Sequence, residues 1–396
     1  MTMIMSKKHR LFALLLTLAG FSTNTLAENW QYRLPDKTFV ANLSLPGTHD
    51  AATGSGFSGT LAAFGSRYAQ TQEMTIAQQF EQGIRVFDLR PAVYDDHMQI
   101  HHGIVATKLR FEDTMYQLRD LLEANPTEFV IIHLLHESDG DQVDNAYNQR
   151  IVDFLKSDAI KDYLVNFKKG LMVKDMRGKI LVLSRDSYDT LPIGGFLKNW
   201  KVDNVNWNEQ SQGYIIGRTD ASKTPMCMQD YSDTHNSGGV QTKLDAIKTM
   251  LDYSTTHYAK TTSKITWYFN FLSAYSKVEN LFGNTISLSD GYRDNASHTN
   301  KFVLDYLKEH EAGPMGIVMM DYAGVDRTGD YNTVGGELVK AIIENNFGYL
   351  DDIPLGLQST TDGRQESGQS YDLSGRPVQQ GQKGLYVQDG RKFVKK

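Results

Sequence analysis

Residues 83–90 read Gly-Ile-Arg-Val-Phe-Asp-Leu-Arg, a short apolar run that closes with charged side chains. Because side chains alternate along a β-strand, Ile84, Val86, Asp88 and Arg90 share one face of it. The run therefore predicts a buried strand whose far end presents a carboxylate and a guanidinium side by side.

Six other apolar runs share this plan, and amphipathic stretches separate them from about residue 39 to residue 347. The predicted strands are 40–45, 84–89, 129–135, 180–184, 226–229, 265–271 and 316–320. Strands that alternate with helices are typical of an α/β fold around a mostly parallel sheet. Seven or eight such units in about 300 residues favour a closed barrel, in which the chemistry lies at the C-terminal ends of the strands.

Helical spacing of apolar residues accounts for the stretches between the strands. Phe111, Met115, Leu118 and Leu122 recur at this spacing, and the pair at 125–126, Asn-Pro, ends that helix. Similar amphipathic stretches cover residues 143–155, 302–307 and 338–343.

The first 27 residues have the pattern of a secretory signal peptide. Lys7, Lys8 and Arg10 precede an apolar run at 11–16, and small residues end the segment at Ala27. The apolar run is well short of the ~20 residues that a membrane anchor needs. We therefore expect an exported protein that is secreted, periplasmic or attached to the cell surface.

Composition describes an ordinary globular chain. It has 396 residues, 40% of them hydrophobic, and a formal net charge of −6. Loss of residues 1–27 would remove three positive charges and no acidic residue, so the charge would become −9. This balance argues against a nucleic-acid partner. The single cysteine, Cys227, cannot form an internal disulfide.

The last part of the chain differs in character from the rest. Residues 28–350 form the predicted barrel, 351–370 are polar and read as a linker, and 371–396 form a small β tail. An Asp-Gly turn at 389–390 between strand-like runs predicts a hairpin. The tail resembles those that serve in sorting or surface attachment of secreted bacterial proteins.

Polar residues that could carry out chemistry lie in three short strand-like stretches. His49 and Asp50 come after Leu-Ser-Leu-Pro-Gly-Thr, Asp88 and Arg90 end the strand quoted above, and His102 precedes a glycine. Two imidazoles can move protons, and a guanidinium can bind phosphate oxygens, so this set suits metal-free cleavage of a phosphodiester. Each residue alone could instead be a cap or a surface group, and Arg90 could simply pair with Asp88.

Two other groups could suggest a metal. His133 and His136 point to opposite faces of a strand, which separates them as ligands. The acidic stretch at 139–144 lacks the full pattern of a calcium loop. We assign no metal and no cofactor.

The motifs together resemble the bacterial phosphatidylinositol-specific phospholipases C and their X-domain relatives. Residues 44–50, 83–90 and 101–103 carry the resemblance, in family order and close to family spacing. The resemblance covers roughly residues 29–347 and implies an irregular (β/α) barrel of the TIM type. It also implies cleavage of phosphatidylinositol without a metal, since Arg90 stands where calcium-dependent relatives have an acidic ligand.

The resemblance implies six catalytic residues, which are His49, Asp50, Asp88, Arg90, His102 and Asp321. His49 would activate the inositol 2-hydroxyl, with Asp321 orienting it. His102, helped by Asp50, would protonate the departing diacylglycerol oxygen. Arg90 would bind the phosphate, with Asp88 beside it. The first product would be inositol 1,2-cyclic phosphate.

Headgroup recognition carries over to Arg185 and Asp230, with Glu137 and Tyr231 as weaker matches. The chain departs from the family at Leu135, where relatives often have lysine, and at Ser232, where the tyrosine that stacks on inositol is aligned. Apolar residues near the barrel mouth could dip into a membrane or pack locally; these are Phe57, Leu61, Phe64, Leu281 and Phe282.

Three alternatives remain open. The chain could cleave glycosyl-phosphatidylinositol anchors or glycerophosphoinositol instead. It could be a barrel that binds inositol or a glycan without catalysis, although binding alone needs no pair of proton carriers. The tail alone could also determine the biology, for example by adhesion.

Overall fold

The computed structural model describes residues 29–186, 191–202, 212–218, 223–236, 238–281 and 283–350, together with four strands after residue 369. The chain divides into two units, Met1–Leu350 and Asp351–Lys396. The predicted signal peptide, Phe282 and nearly all of the predicted linker lie outside the described residues.

The first unit is a closed barrel of nine strands with smaller sheets beside it. Its strands are β1 Ser44–Thr48, β2 Val86–Leu89, β3 Pro91–Val93, β4 Met98–His102, β5 Val105–Arg110, β6 Val130–Leu134, β7 Ile180–Ser184, β8 Gly195–Lys198, β9 Gln212–Gly217, β10 Lys223–Gln229, β11 Trp267–Phe271, β12 Val278–Leu281, β13 Asn284–Ser287 and β14 Gly316–Met320. The barrel order is β1-β14-β11-β10-β9-β8-β7-β6-β2.

All seven predicted strands coincide with barrel strands, and the predicted fold class is confirmed. The first strand begins later than predicted, because Val40–Asn42 forms a 3₁₀ turn and β1 runs from Ser44. Strands β8 and β9 were not predicted. β9 is antiparallel to both neighbours, which makes this side of the barrel irregular.

Helices cover the outside of the barrel. They are α1 Ala62–Tyr68, α2 Ile76–Glu81, α3 Phe111–Ala124, α4 Tyr147–Lys156, α5 Val173–Met176, α6 Gly239–Ser254, α7 Ser289–Glu309 and α8 Gly335–Tyr349. Short 3₁₀ segments are Gln31–Arg33, Val40–Asn42, Ala51–Ser55, Ser138–Gly140, Lys161–Tyr163 and Thr262–Lys264. α3 ends where the Asn-Pro pair predicted. α4 begins later than residue 143, because the Val143 N–H is bonded to the Val93 carbonyl instead.

Two features fix the strands that carry the candidate site. A Cβ at Gly47 in β1 would lie 2.5 Å from Met319 Sδ and 2.9 Å from Val86 Cβ, so only glycine lets β1 pack between its neighbours. At the start of β2, the fully buried Arg85 donates to Glu128 from Nε at 3.0 Å and from Nη2 at 2.9 Å. Burial lowers the pKa of Arg85 to about 10, although Glu128 opposes this effect.

A small sheet extends from the end of β2. Strands β3, β4 and β5 pair antiparallel beside the barrel, so β4 carries His102 back toward the mouth. Within the described residues, every helix is too short or too polar to cross a lipid bilayer.

The second unit contains four strands, β15 Ser370–Tyr371, β16 Pro377–Val378, β17 Gly384–Gln388 and β18 Arg391–Lys395. β17 and β18 pair antiparallel from Gln388 and Arg391 outward, and the turn between them lies outside the described residues. The other two strands join the same sheet in the order β16-β15-β17-β18.

Candidate active site

His49 and Asp321 meet at the C-terminal ends of β1 and β14. These strands pair in parallel with Thr48 opposite Met320, so the next residue of each strand reaches the same edge of the barrel. The His49 N–H donates to the Met320 carbonyl at 3.1 Å. The His49 Nδ1 donates to Asp321 Oδ1 at 2.8 Å, which leaves Nε2 facing the mouth.

Asp50 lies at the centre of the site. Its backbone is in the left-handed region with φ 45°, and its N–H donates to Asp88 Oδ2 at 3.2 Å. Oδ2 of Asp50 lies 3.0 Å from His49 Nε2, 3.2 Å from Arg90 Nη1 and 3.5 Å from His102 Nε2. One carboxylate oxygen is therefore shared by the three groups that the sequence assigns to phosphate chemistry.

Arg90 is held by carboxylates on two sides. Its Nε and Nη2 both donate to Asp88 Oδ2, at 3.1 and 2.7 Å, while Nη1 lies near Asp50. Burial opposes its charge, but the carboxylates outweigh burial and raise the pKa of Arg90. Burial also opposes ionisation of Asp88, yet Arg90 and His133 hold the pKa of that carboxyl well below its usual range. The ion pair therefore stays charged at neutral pH.

His102 reaches the site from β4. Its Nδ1 donates to the Ala69 carbonyl at 2.7 Å, just after the end of α1. This bond fixes the ring so that Nε2 faces Asp50. The rings of His49 and His102 lie 6.1 Å apart at 78°, so the two imidazoles approach the same carboxylate from different directions.

The protonation of His49 is set by opposing effects. Burial lowers its pKa, but the carboxylates of Asp50 and Asp321 outweigh burial and raise the pKa to about 9. The pKa of Asp321 is raised by burial, and the nearby His49 opposes this. In the free protein, His49 and Asp321 thus share a strong charge-assisted bond.

Arg185 and Asp230 lie at the ends of β7 and β10, as predicted, and they are joined by Trp200. Arg185 Nη1 is 3.6 Å from Asp230 Oδ2. The Trp200 Nε1 donates to the same oxygen at 2.7 Å, and the Arg185 guanidinium lies 4.8 Å from the Trp200 ring centre. These three side chains form a second polar group at the mouth, which we call the headgroup cluster.

The other two predicted headgroup residues lie apart from this cluster. Glu137 has an oxygen 4.0 Å from Arg90 Nη1, which places it beside Arg90 rather than beside Arg185. Burial raises the pKa of Glu137, and Arg90 opposes the shift. Tyr231 is 1% exposed, and its N–H donates to Gln229 Oε1 at 2.8 Å. Tyr231 is therefore packed into the protein rather than open at the mouth.

Sequence reasoning missed Trp200 and gave His133 no role in the site. Trp200 follows β8, a strand that the apolar pattern did not reveal. His133 lies in β6 opposite Asp88, and its Nδ1 donates to Asp88 Oδ1 at 2.8 Å. Because side chains alternate along a strand, His133 shares a face with Leu135 and with Glu137, which was itself a predicted site residue. This alternation could have placed His133 on the inner face.

One group of potential metal ligands occurs among the described residues, formed by His49, Asp50 and Asp88. Arg90 already contacts both of these carboxylates, and His49 lies 3.0 Å from Asp50. A divalent cation would compete with these positive groups for the same oxygens. The donor set therefore fits an internal ion-pair network better than it fits a metal.

The apolar residues near the mouth divide into buried and exposed ones. Phe57 is buried against Ala69 and Val105, so local packing explains it. Phe64 on α1 is 49% exposed, and Ile104 beside His102 is 60% exposed. Leu61 and Leu281 are half-buried.

Solved bacterial structures share this irregular α/β barrel. A variant of the phosphatidylinositol-specific phospholipase C from Staphylococcus aureus matches with a TM-score of 0.61 and 20% identity, over 80% of this chain and 96% of that chain. The phosphatidylinositol-specific phospholipase C from Listeria monocytogenes matches with a TM-score of 0.56 and 23% identity, over 81% and 98%. These likenesses establish the fold.

Residues 57–186 match the family model of the phosphatidylinositol-specific phospholipase C X domain. The match covers about a third of the chain. The 1-phosphatidylinositol phosphodiesterase of Listeria monocytogenes is 33% identical over 166 residues, 40% of this chain and 49% of that enzyme, so the matched part spans about half of its length. The enzyme of the same name from Staphylococcus aureus strain Newman is 24% identical over 83% of this chain and 97% of its own length.

Proposed function

We propose that this protein is a phosphatidylinositol-specific phospholipase C that needs no metal. One observation carries the proposal: Oδ2 of Asp50 lies within 3.5 Å of His49, Arg90 and His102. Two proton carriers and a fixed cation thus converge on one point at the C-terminal end of the barrel. The two bacterial relatives named as 1-phosphatidylinositol phosphodiesterases support the same reaction.

The reaction begins at His49. In its neutral form, Nε2 takes the proton of the inositol 2-hydroxyl, while Nδ1–H stays bonded to Asp321 and the carboxylate stabilises the resulting imidazolium. The 2-oxygen attacks phosphorus within the same molecule. Attack by a hydroxyl held beside phosphorus outcompetes attack by water through proximity.

The leaving oxygen receives its proton from His102. The Nδ1–H bond to Ala69 holds the ring so that a protonated Nε2 can donate, and Asp50 lies on that side. As the bond from phosphorus to the glycerol oxygen breaks, diacylglycerol departs and inositol 1,2-cyclic phosphate remains.

Arg90 supplies the positive charge that the phosphorus oxygens need in the transition state. Its fork can bind two oxygens, and it remains charged throughout the pH range of the reaction. Asp88 fixes the guanidinium from behind through two bonds to one oxygen. A cation bound to the carboxylates is therefore not required.

The lipid substrate implies contact with a membrane surface. Exposed Phe64 lies on α1, the helix whose C-terminal Ala69 carbonyl is bonded to His102, and exposed Ile104 lies two residues after His102. The net charge of −9 expected after loss of residues 1–27 would not attract anionic lipids. We therefore expect the protein to contact the membrane by inserting these apolar side chains. The N-terminal 27 residues support export, so the substrate would be met outside the cytoplasm.

Phosphorus NMR of the full protein with phosphatidylinositol and excess chelator tests the proposal. We expect a cyclic phosphate signal that His49→Ala and His102→Ala each slow by at least ~10². Loss of activity in chelator, or near-normal rates in either variant, would refute the assigned roles. Glycerophosphoinositol and a glycosyl-phosphatidylinositol, run in parallel, identify the preferred substrate.

A further inference from the structure

One buried polar atom inside the barrel has no role in the mechanism above. His133 is 1% exposed, and its Nδ1 is bonded to Asp88. On the other side of the ring, Nε2 is buried and has no hydrogen-bond partner among the described residues. An unpaired polar atom in this position costs free energy in the unliganded protein.

The protonation state of this ring follows from its partner. Asp88 is ionised, so it can only accept a hydrogen bond, and His133 Nδ1 must carry the hydrogen. Burial lowers the pKa of His133, although Asp88 opposes the shift. At neutral pH the ring is neutral, and Nε2 presents a bare lone pair.

The surroundings of His133 join the catalytic residues to the headgroup cluster. Its ring lies 5.1 Å from the Trp200 ring and 5.7 Å from the Phe271 ring. The Phe271 ring also lies 6.4 Å from His49, and Trp200 is bonded to Asp230. His133 therefore lies between the proposed base and the proposed headgroup contacts.

We propose that Nε2 of His133 accepts a hydrogen bond from a ring hydroxyl of inositol. The inference rests on the proposed function and adds a specificity residue to it. The Trp200 ring lies next to the His133 ring and is only partly buried, so we expect the indole to shift when the headgroup enters. A lone pair cannot bond to a phosphate oxygen, because both are acceptors. His133 therefore selects an unphosphorylated position on the ring.

The variant His133→Asn separates this contact from a positioning role. The asparagine amide nitrogen takes the place of Nδ1 and can donate to Asp88, while the acceptor at Nε2 is lost. We would measure kcat/KM on phosphatidylinositol and on analogues that each lack one ring hydroxyl other than the 2-hydroxyl. For the wild type, we expect kcat/KM on one of these analogues to be about tenfold lower than on phosphatidylinositol. Compared with the wild type, the variant should have a kcat/KM about tenfold lower on phosphatidylinositol. On that one analogue, the variant and the wild type should have the same kcat/KM.

A uniform loss on all substrates would overturn the inference, since it would mean that His133 only holds Asp88 in place. His136→Asn is the matched control, because His136 is already paired with Asp141 at 2.9 Å. The control should keep the wild-type pattern across the analogues.

A binding experiment distinguishes this inference from the reaction itself. In protein labelled with ¹⁵N-histidine, the Nε2 signal of His133, assigned by its loss in His133→Asn, should shift when myo-inositol is added. If this signal shifts in a protein that does not cleave phosphatidylinositol, the contact is supported and the proposed reaction is refuted. An unchanged His133 signal would reject the contact, whether or not the lipid is cleaved.

Discussion

The Nδ1 atom of His102 lies 2.7 Å from the carbonyl oxygen of Ala69. Ala69 caps the end of α1, where its own N–H donates to the Gly65 carbonyl at 2.9 Å. The exposed Phe64 is on the same short helix. The proposed general acid is therefore oriented by the helix that carries an apolar side chain at the mouth.

Displacing α1 should impair His102. A Cβ at Gly65 would lie 2.1 Å from Phe57 Cγ, so Gly65→Ala must move the helix or the ring. We expect turnover to fall at least about tenfold, with destabilisation of about 1–3 kcal/mol from overpacking. Ser66→Ala, at an exposed position of α1, is the control. Wild-type turnover in a folded Gly65→Ala protein would show that the Ala69 carbonyl does not orient His102.

The pH dependence of kcat/KM should report His49. Since the neutral ring is the base and its pKa is about 9, kcat/KM should rise with pH up to about this value. Asp321→Asn removes a carboxylate that raises this pKa, so the rise should move to lower pH while the maximum falls by at least ~10². Asp245→Asn on the surface of α6 should leave the profile unchanged. A profile of Asp321→Asn that rises at the wild-type pH would contradict the pairing.

Arg90→Lys should be severely impaired although the charge is kept. Lysine cannot donate to Asp88 and to a phosphate oxygen through one rigid fork. We expect kcat/KM to fall by about 10²-fold, since charged hydrogen bonds contribute about 1.5–3 kcal/mol each. Arg33→Lys, in an exposed pair with Glu344, is the control. Activity within about threefold of wild type would contradict the phosphate clamp.

Stability should depend on Glu128 far more than on Glu344. Each glutamate pairs with an arginine at 2.9 Å, but Glu128 is fully buried while Glu344 is 55% exposed. Glu128→Gln leaves the Arg85 charge buried and should cost about 3–5 kcal/mol. Glu344→Gln should cost no more than about 1 kcal/mol. Denaturant unfolding of both variants measures the difference, and equal costs would contradict the role assigned to Arg85.

The sequence was sufficient to predict seven of the barrel strands because each coincides with an apolar run, but it did not reveal β8, which pairs in parallel with β7. It failed at β9, where Gln212–Gly217 lies between two antiparallel neighbours and shows no such run. Trp200 was missed for the same reason, since the strand before it was not recognised.

Positions at strand ends were easier to predict than contacts between strands. His49 and Asp321 were paired in advance only through the family resemblance, because the register of β1 with β14 cannot be read from either run alone. The bond from His133 to Asp88 also depends on strand register. The Ala69 carbonyl gave no signal at all, since a backbone atom has no sequence signature.

The left-handed backbone at Asp50 has a consequence for selectivity. It holds the protein's own negative group at the point where a substrate phosphate must compete for His49, Arg90 and His102. A small free anion would gain little binding free energy by displacing the Asp50 carboxylate, because His49, Arg90 and His102 would only exchange one negative partner for another. Under the proposed function, recognition would then come from the sugar ring, and free phosphate would compete only weakly for the site.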